Sequence, residues 1–590
     1  MFNRLSSRLR NSGAHGHSNK KKIDSRPASS PPAARNGNRP SSPANWDDTE
    51  SLDSYSAFHA ESLFPLDSSG EQAVDPRAST NDQFLGSLSF NSSSDDNDQA
   101  SKRSWPTSSS VPEEEINVGP AVLPEYVEAE EQFLDDYEDY FENLSLDNVR
   151  KEQYSNLDLQ RVVHLDYANN PLFSSYQVEE HTQFLLEEAP CSASILPSSS
   201  RLRNRIVGLQ NRILGMLNAS KDDYPTLVLT AGVSASFRLF AEIYPLDRSS
   251  QILVCQDAHE SIRHLVSAAA RSGTRVSVAG LRSTDLAAPR GEIQRLLNKM
   301  ASRLVIGQGG GVVVIPAQSG LTGTRYGVDW IKQTHAKGWH ALLDVSIALP
   351  AAGVVDVAIE RPEFVVGSLH HALGYPPGVG FLAIRRDVEA LVMKKLKSRT
   401  SPAFVEAAGV HIACEDGGMV INGLTLAAVA TGLDHLESIG MDRIGKRVEC
   451  LAAWLHANLK RINHVGENSR PMIKVYGSKE RERGSMVVFN LVDSTGNLFP
   501  PHIVRSLAEK QNIKLGTCGF ANHPLVAPIS QRSSSAHPLA TFRAVKISLG
   551  TVSNFQDAYR FVQFLLRFRD EEYMSVEAMG FIEESAFKQR

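Results

Sequence analysis

From Val162 onward, short continuous apolar runs alternate with amphipathic stretches of helical period. The runs Val162-Val163-His164-Leu165, Leu227-Val228-Leu229, Ile252-Leu253-Val254, Val312-Val313-Val314-Ile315, Ala341-Leu342-Leu343 and Phe364-Val365-Val366 predict buried strands. Between them, Arg201–Leu217, Ser234–Tyr244, Glu260–Arg271, Arg290–Met300 and Gly327–Ala336 predict helices. Strands apolar on both faces, joined through helices, predict an α/β fold with a mostly parallel sheet covered on each side. Beyond about Lys397 the texture changes to long helices (Thr425–Ile439, Asp442–Leu459), strands (Ser485–Leu491, Ala544–Leu549) and a last helix (Asn554–Phe568). That pattern predicts a smaller α+β domain.

Upstream, the pattern lapses. Residues 1–125 are rich in Ser, Asn, Asp, Pro and Gly, too poor in aliphatic side chains to offset the entropy of ordering. An acidic stretch follows, with Phe133, Leu134, Tyr137, Tyr140, Phe141 and Leu144 at helical spacing, and predicts a helix that docks on the folded body. The division expected is an arm (1–125), an acidic docking helix (126–160), a large domain (161–397), a small domain (398–575) and a tail (576–590). The first forty residues are basic, with Asp24 the only acid. They fit either an organellar transit peptide or a solvated tail in a cytoplasmic protein.

A net charge of −6 and 22% charged residues give no global signal for nucleic-acid or membrane-surface binding. No apolar run is long enough to span a bilayer. Five scattered cysteines without a C-x-x-C pair point away from a disulfide framework or zinc site, and no metal is expected.

Candidate chemistry sits where strands end. Thr230-Ala231-Gly232-Val233-Ser234 closes a strand and opens a helix, so Thr230, Ala231, Gly232 and Ser234 form either a phosphate cup or an ordinary capped turn. His259 ends the next strand and could stack on an aromatic ring or serve structure alone. Gln318 follows a strongly apolar strand. Asp344 could hold a protonated ring nitrogen. Ser368-Leu369-His370-His371 lies on a later strand-to-turn junction. An acid at one strand end, then a polar glycine-punctuated turn, is the layout of a pyridoxal-phosphate (PLP) site, in which an amine on that turn forms the Schiff base. The amine position carries His371, and no lysine occurs between Lys337 and Lys394.

The order Asp166-Tyr167-Ala168, Thr230-Ala231-Gly232, Asp257-Ala258-His259, Pro316-Ala317-Gln318-Ser319, Leu343-Asp344, Gly374-Tyr375-Pro376 resembles aminotransferase class V. It is most similar to the sulfurase domain of molybdenum cofactor sulfurases and their plant relatives. Glu415-Asp416-Gly417 and the closing Val545-Lys546-Ile547-Ser548-Leu549-Gly550 add to the likeness, which covers about Tyr154 to Phe568. The resemblance implies a fold-type I PLP architecture and a homodimer with a small-molecule ligand. It also implies phosphate near Thr230 to Ser234, His259 on the pyridine ring, Asp344 at its nitrogen, and Ser368 and His370 beside it. In the family, sulfur passes from L-cysteine to an enzyme cysteine and on to the molybdenum cofactor.

The departures fall on the chemistry. Imidazole at 371 has no primary amine for a Schiff base. The family's late Arg-Thr-Gly-Cys-x-Cys-Asn stretch reads Gly516-Thr517-Cys518-Gly519-Phe520-Ala521-Asn522, with the arginine and both cysteine positions lost and Cys518 one place early. Gly418 stands where a threonine would reach the partner's phosphate, and no counterpart of the family's C-terminal β-rich domain is expected before Arg590. Two losses at two chemical steps predict a catalytically degenerate, ligand-binding or regulatory protein, with PLP noncovalent if bound. The alternative is an enzyme working with noncovalently held PLP, His371 acting as base.

Overall fold

The computed structural model describes residues 122–188, 200–282, 285–287, 291–301, 311–326, 328–349, 351, 355–398, 404–407, 410–413, 421–464, 470–477, 483–520, 542–570, 572–573 and 575–576. The Ser-rich arm below residue 122, the Glu415–Gly418 turn, Ala521 and Asn522 lie outside these.

The strand β1 (Val163–Leu165) belongs to a five-stranded sheet. Its other members are β11 (Ile473–Tyr476), β12 (Met486–Leu491), β13 (Ile513–Gly519) and β14 (Arg543–Ser548), in the order β1-β13-β14-β12-β11. A nine-stranded sheet holds β2 (Thr226–Thr230), β3 (Gln251–Cys255), β4 (Arg275–Ala279), β5 (Gly311–Pro316), β6 (His340–Asp344), β7 (Phe364–Ser368), β8 (Gly380–Ile384), β9 (Phe404–Ala407) and β10 (Val410–Ala413). Its order is β4-β3-β5-β6-β7-β8-β2-β10-β9. Strands β4, β3, β5, β6 and β7 pair in parallel; β8 runs antiparallel to both β7 and β2. Thus β2 points the same way as β3, β5, β6 and β7, and their carboxyl ends share one edge.

The expected parallel sheet is therefore present, and its apolar runs are buried in full, as at β5 and β7. Helices pack on it, among them Gly232–Ile243 against β7 and β8. One placement differs. Val163–Leu165, expected to open the large sheet, pairs in parallel with β13 in register Val163↔Ile513. A three-residue apolar run carries no mark of which sheet it will join.

Helix Val122–Asp136 starts ahead of the boundary expected at 126 and is followed by the short helix Glu138–Phe141. Phe133 stacks on Phe555 at 4.5 Å between ring centroids, and the Arg447 guanidinium lies 4.3 Å over the Tyr140 ring. Buried Arg150 binds Asp557 at 2.7 Å and the Val552 carbonyl at 2.8 Å. Phe141, expected on the docking face, is exposed instead. The chain leaves helical geometry at Tyr137 (φ −127°, ψ 77°), which turns the next segment's face.

Candidate functional site

At the carboxyl edge of the large sheet, β2 gives way to the helix Gly232–Ile243 through Ala231 and Gly232, the latter at φ +79°. The turn is held tightly: a Cβ at Gly380, the first residue of β8, would lie 2.5 Å from the Gly232 carbonyl carbon. Only glycine lets the two backbones approach so closely. The buried Thr230 hydroxyl is spent inside the turn, donating to the Gly232 carbonyl at 3.0 Å and sharing a 2.6 Å bond with Ser236. The Ser234 hydroxyl donates to the Ser261 hydroxyl (3.0 Å), which lies 2.8 Å from His259 Nδ1. The Ser261 N–H also donates to that nitrogen. Nδ1 is thus the acceptor, and the ring's orientation is tied to the helix start.

Asp344 ends β6 and is buried. Its Oδ1 accepts from the Ser346 N–H at 3.0 Å and the Ser346 hydroxyl at 2.6 Å. Burial pushes its pKa above the usual carboxylate range; the nearby His259 charge and the Ser346 bonds oppose that rise. Asp257, also buried and raised by burial, accepts from the Tyr326 hydroxyl at 2.5 Å. In both, burial disfavours the ionised form.

His371 lies on the short helix Leu369–Leu373, which follows Ser368 at the end of β7. Its pKa is lowered to about 3, chiefly by burial, then by the charges of His259, His370 and Lys546. A bond to the Ala168 backbone opposes the fall, as a carbonyl acceptor would, while Nδ1 has no hydrogen-bond partner among the described residues. His370 Nδ1 is likewise unpartnered, and burial lowers that ring's pKa too. The cavity beside His371 holds about 20 Å³, room for roughly one water.

A larger cavity of about 250 Å³ shares the Ala168 and Ile347 wall with the first and is lined also by Asp257, His259, Cys518 and Lys546. Cys518 is half-buried, and desolvation drives its thiol up to about 12, so little thiolate forms at neutral pH. Gly516 and Gly519 are packed around. A Cβ at Gly516 would meet Asp166 Oδ1 at 2.5 Å and Asn169 Nδ2 at 2.8 Å, and one at Gly519 would meet the Phe542 carbonyl at 2.5 Å. Gly516 is buried, whereas Gly519 is exposed on the lining of the larger cavity, and at either position a side chain would have to displace its neighbours.

The residues singled out from sequence do not all meet. Asp344, His259 and His371 influence one another's charge, and Ser234 joins them through Ser261. Gln318 does not line either cavity; its amide is committed to Ser485, accepting from the N–H at 3.2 Å and donating to the hydroxyl at 3.1 Å. Ser368 is buried at the helix start and makes no side-chain cap bond. Sequence reasoning missed Lys546 as part of the cleft. A single lysine inside the apolar strand Ala544-Val545-Lys546-Ile547 reads locally as a solvated strand position, so no local signal marked it.

The family profile for aminotransferase class V matches residues 189–561. The human molybdenum cofactor sulfurase is 26% identical over 479 residues, covering 72% of this chain and 51% of that protein. The chain therefore spans about half the length of the curated relative it matches. Among solved structures, the cysteine desulfurase CsdA from Escherichia coli, in an S-sulfonic acid form, aligns with TM-score 0.54 and 18% identity. It covers 71% of this chain and 97% of its own. A lysine-to-alanine mutant of C-DES, with glycine covalently linked to the PLP cofactor, aligns with TM-score 0.52 and 14% identity, over 71% and 99%.

Proposed function

Because the chain belongs to the aminotransferase class V family, a PLP-dependent fold, we propose that it is a molybdenum cofactor sulfurase-like protein that has lost cysteine desulfuration and acts as a ligand-binding or regulatory partner. The observation that carries this is the neutral imidazole at 371, held near pKa 3 where the reaction needs a primary amine. The missing thiol at Gly519 and the high pKa of Cys518 remove the second step as well.

The residues present fit PLP. Asp344 is a buried carboxylate that a protonated ring nitrogen would stabilise, and the N–H groups opening helix Gly232–Ile243 suit a phosphate. His259, oriented through Ser261, is available to a ring face. When bound, PLP supplies an electron sink for amino-acid chemistry. Here the chain's own groups bind and orient, and His371 is not poised to shuttle protons, since an imidazole at pKa about 3 is a weak acceptor at neutral pH. That also weighs against His371 as the base of a different reaction. The homodimer and small-molecule ligand implied by the resemblance belong to the same proposal.

The test is sulfide release from L-cysteine by the PLP-saturated full-length protein. Release no faster than that given by free PLP alone is expected. Protein-dependent turnover that persists at limiting PLP would overturn the reading.

A further inference from the structure

We propose that Lys546 is the amine through which this chain captures an aldehyde ligand, PLP being the one its fold points to, as an imine at Nζ. The proposal rests on the reading that the cleft takes PLP. It supplies from β14 the primary amine that position 371 lacks, and leaves the thiol missing at Gly519 as the loss that bars desulfuration.

Four observations place Lys546 there. It is buried on β14, between β13 and β12, where it pairs across the sheet with Gly516. Gly516 leaves room beside it: a Cβ there would lie 2.8 Å from Asn169 Nδ2, on the side chain that orients the lysine, and 3.2 Å from Lys546 Cε. Its Nζ donates to Asn169 Oδ1 at 2.8 Å, so the amine is oriented by a neutral group. It lines the cavity of about 250 Å³ together with His259, whereas the space beside His371 holds about 20 Å³. Ligand-sized space therefore lies on the side of Lys546. Among the described residues it is the one lysine on the lining of either cavity. Burial also lowers its pKa, with Cys518 and Asp166 opposing, which raises the share of neutral amine able to react. Buried lysines with this property are the ones suited to imine chemistry.

The step balances without a co-reactant. Neutral Nζ adds its electron pair to the aldehyde carbon, a C–N bond forms, and the carbonyl oxygen leaves with the two amine protons as one water. Nothing is oxidised or reduced. Sodium borohydride then delivers hydride to the C=N bond and fixes the adduct as a secondary amine.

The experiment incubates the full-length protein with stoichiometric PLP, measures retained PLP by fluorescence after gel filtration, treats with borohydride, and maps tryptic peptides by mass spectrometry. A pyridoxyl group on Lys546 is expected, carried on a peptide uncleaved after that residue. Lys546→Arg keeps a cationic side chain but cannot form an imine, so it should lose that label and retain less PLP after gel filtration than the parent. PLP retained by the unmodified protein without label at Lys546 overturns the inference alone. Failure to retain PLP at all overturns the cofactor reading and the inference with it. Equal total label in Lys546→Arg assigns the adducts to surface amines and likewise overturns it.

Discussion

The cleft has two walls with different histories written in their packing. One is the carboxyl edge of the large parallel sheet, where Asp257 and His259 line the larger cavity, while Asp344, within electrostatic reach of His259, and the tight turn at Gly232 line neither cavity. The other comes from the small sheet, where β13 presents Gly516, Cys518 and Gly519. On the first wall each polar group has a partner that orients it: Ser346 for Asp344, Ser261 for His259, Tyr326 for Asp257. On the second, the positions that would carry reacting groups are bare glycines, and neighbouring atoms have moved into the space a Cβ would need. The contrast separates holding a ligand from transforming it. Buried carboxyls cost stability unless a cation or hydrogen-bond donors offset their burial.

The strongest way to break this contrast is at the closest backbone approach on the kept wall. Gly380→Val places side-chain atoms against the Gly232 backbone, which has no flexible end to yield. We expect a loss of about 3 kcal/mol in denaturant unfolding and disruption of the helix start. An unchanged midpoint would mean that the turn is not rigid. Next comes Asp344→Ala, with PLP retention weaker by roughly 10- to 100-fold, the worth of about one charge-assisted hydrogen bond. Unchanged retention in an equilibrium titration would detach this wall from the cofactor. On the other wall, Gly519→Cys is expected to cost about 1–2 kcal/mol through the Phe542 carbonyl contact and to release no sulfide from cysteine. A stable variant that gained sulfide release would erase the distinction between the walls.

The two walls were also unequally legible in the sequence. Strands β3, β5, β6 and β7 announce themselves by continuous apolar runs, and a residue such as Asp344 at the end of one is placed as soon as the sheet is parallel. Polarity after a strand is a weaker guide. Gln318 shares that context with Asp344, yet its amide is used up by Ser485, 167 residues away. The small-sheet wall depends on pairings of still longer range. Lys546 meets Asn169 across 377 residues, and β1 joins β13 rather than the neighbouring large-sheet strands. No local pattern encodes such meetings. A lysine flanked by Val545 and Ile547 reads locally as a solvated strand position, and only the fold shows that it faces the cleft. Likewise, the glycines at 516 and 519 are visible in the sequence as losses, but that neighbours have filled the space needs coordinates.

The gentlest probe is proton linkage at the seam between the walls. His371 has its pKa lowered from 6.5 to about 3 by burial and by neighbouring positive charge. The unfolded chain therefore binds a proton below about pH 6.5 that the folded chain refuses, so stability falls as the pH is lowered through that window. From about pH 7 to about pH 5.5 the single group is worth about 1 kcal/mol. His435, lowered to about 4 by burial, acts in the same direction, while the raised carboxyls Asp344 and Asp257 act in the opposite one. The useful quantity is thus the difference between the parent and His371→Gln, measured by urea unfolding without added PLP. The variant should lose less stability on acidification. Equal slopes would mean that His371 is protonated in the folded chain, and hence that the space around it is open to water and charge. A histidine hydrated in that way would no longer mark the boundary between a wall that holds and a wall that has stopped reacting.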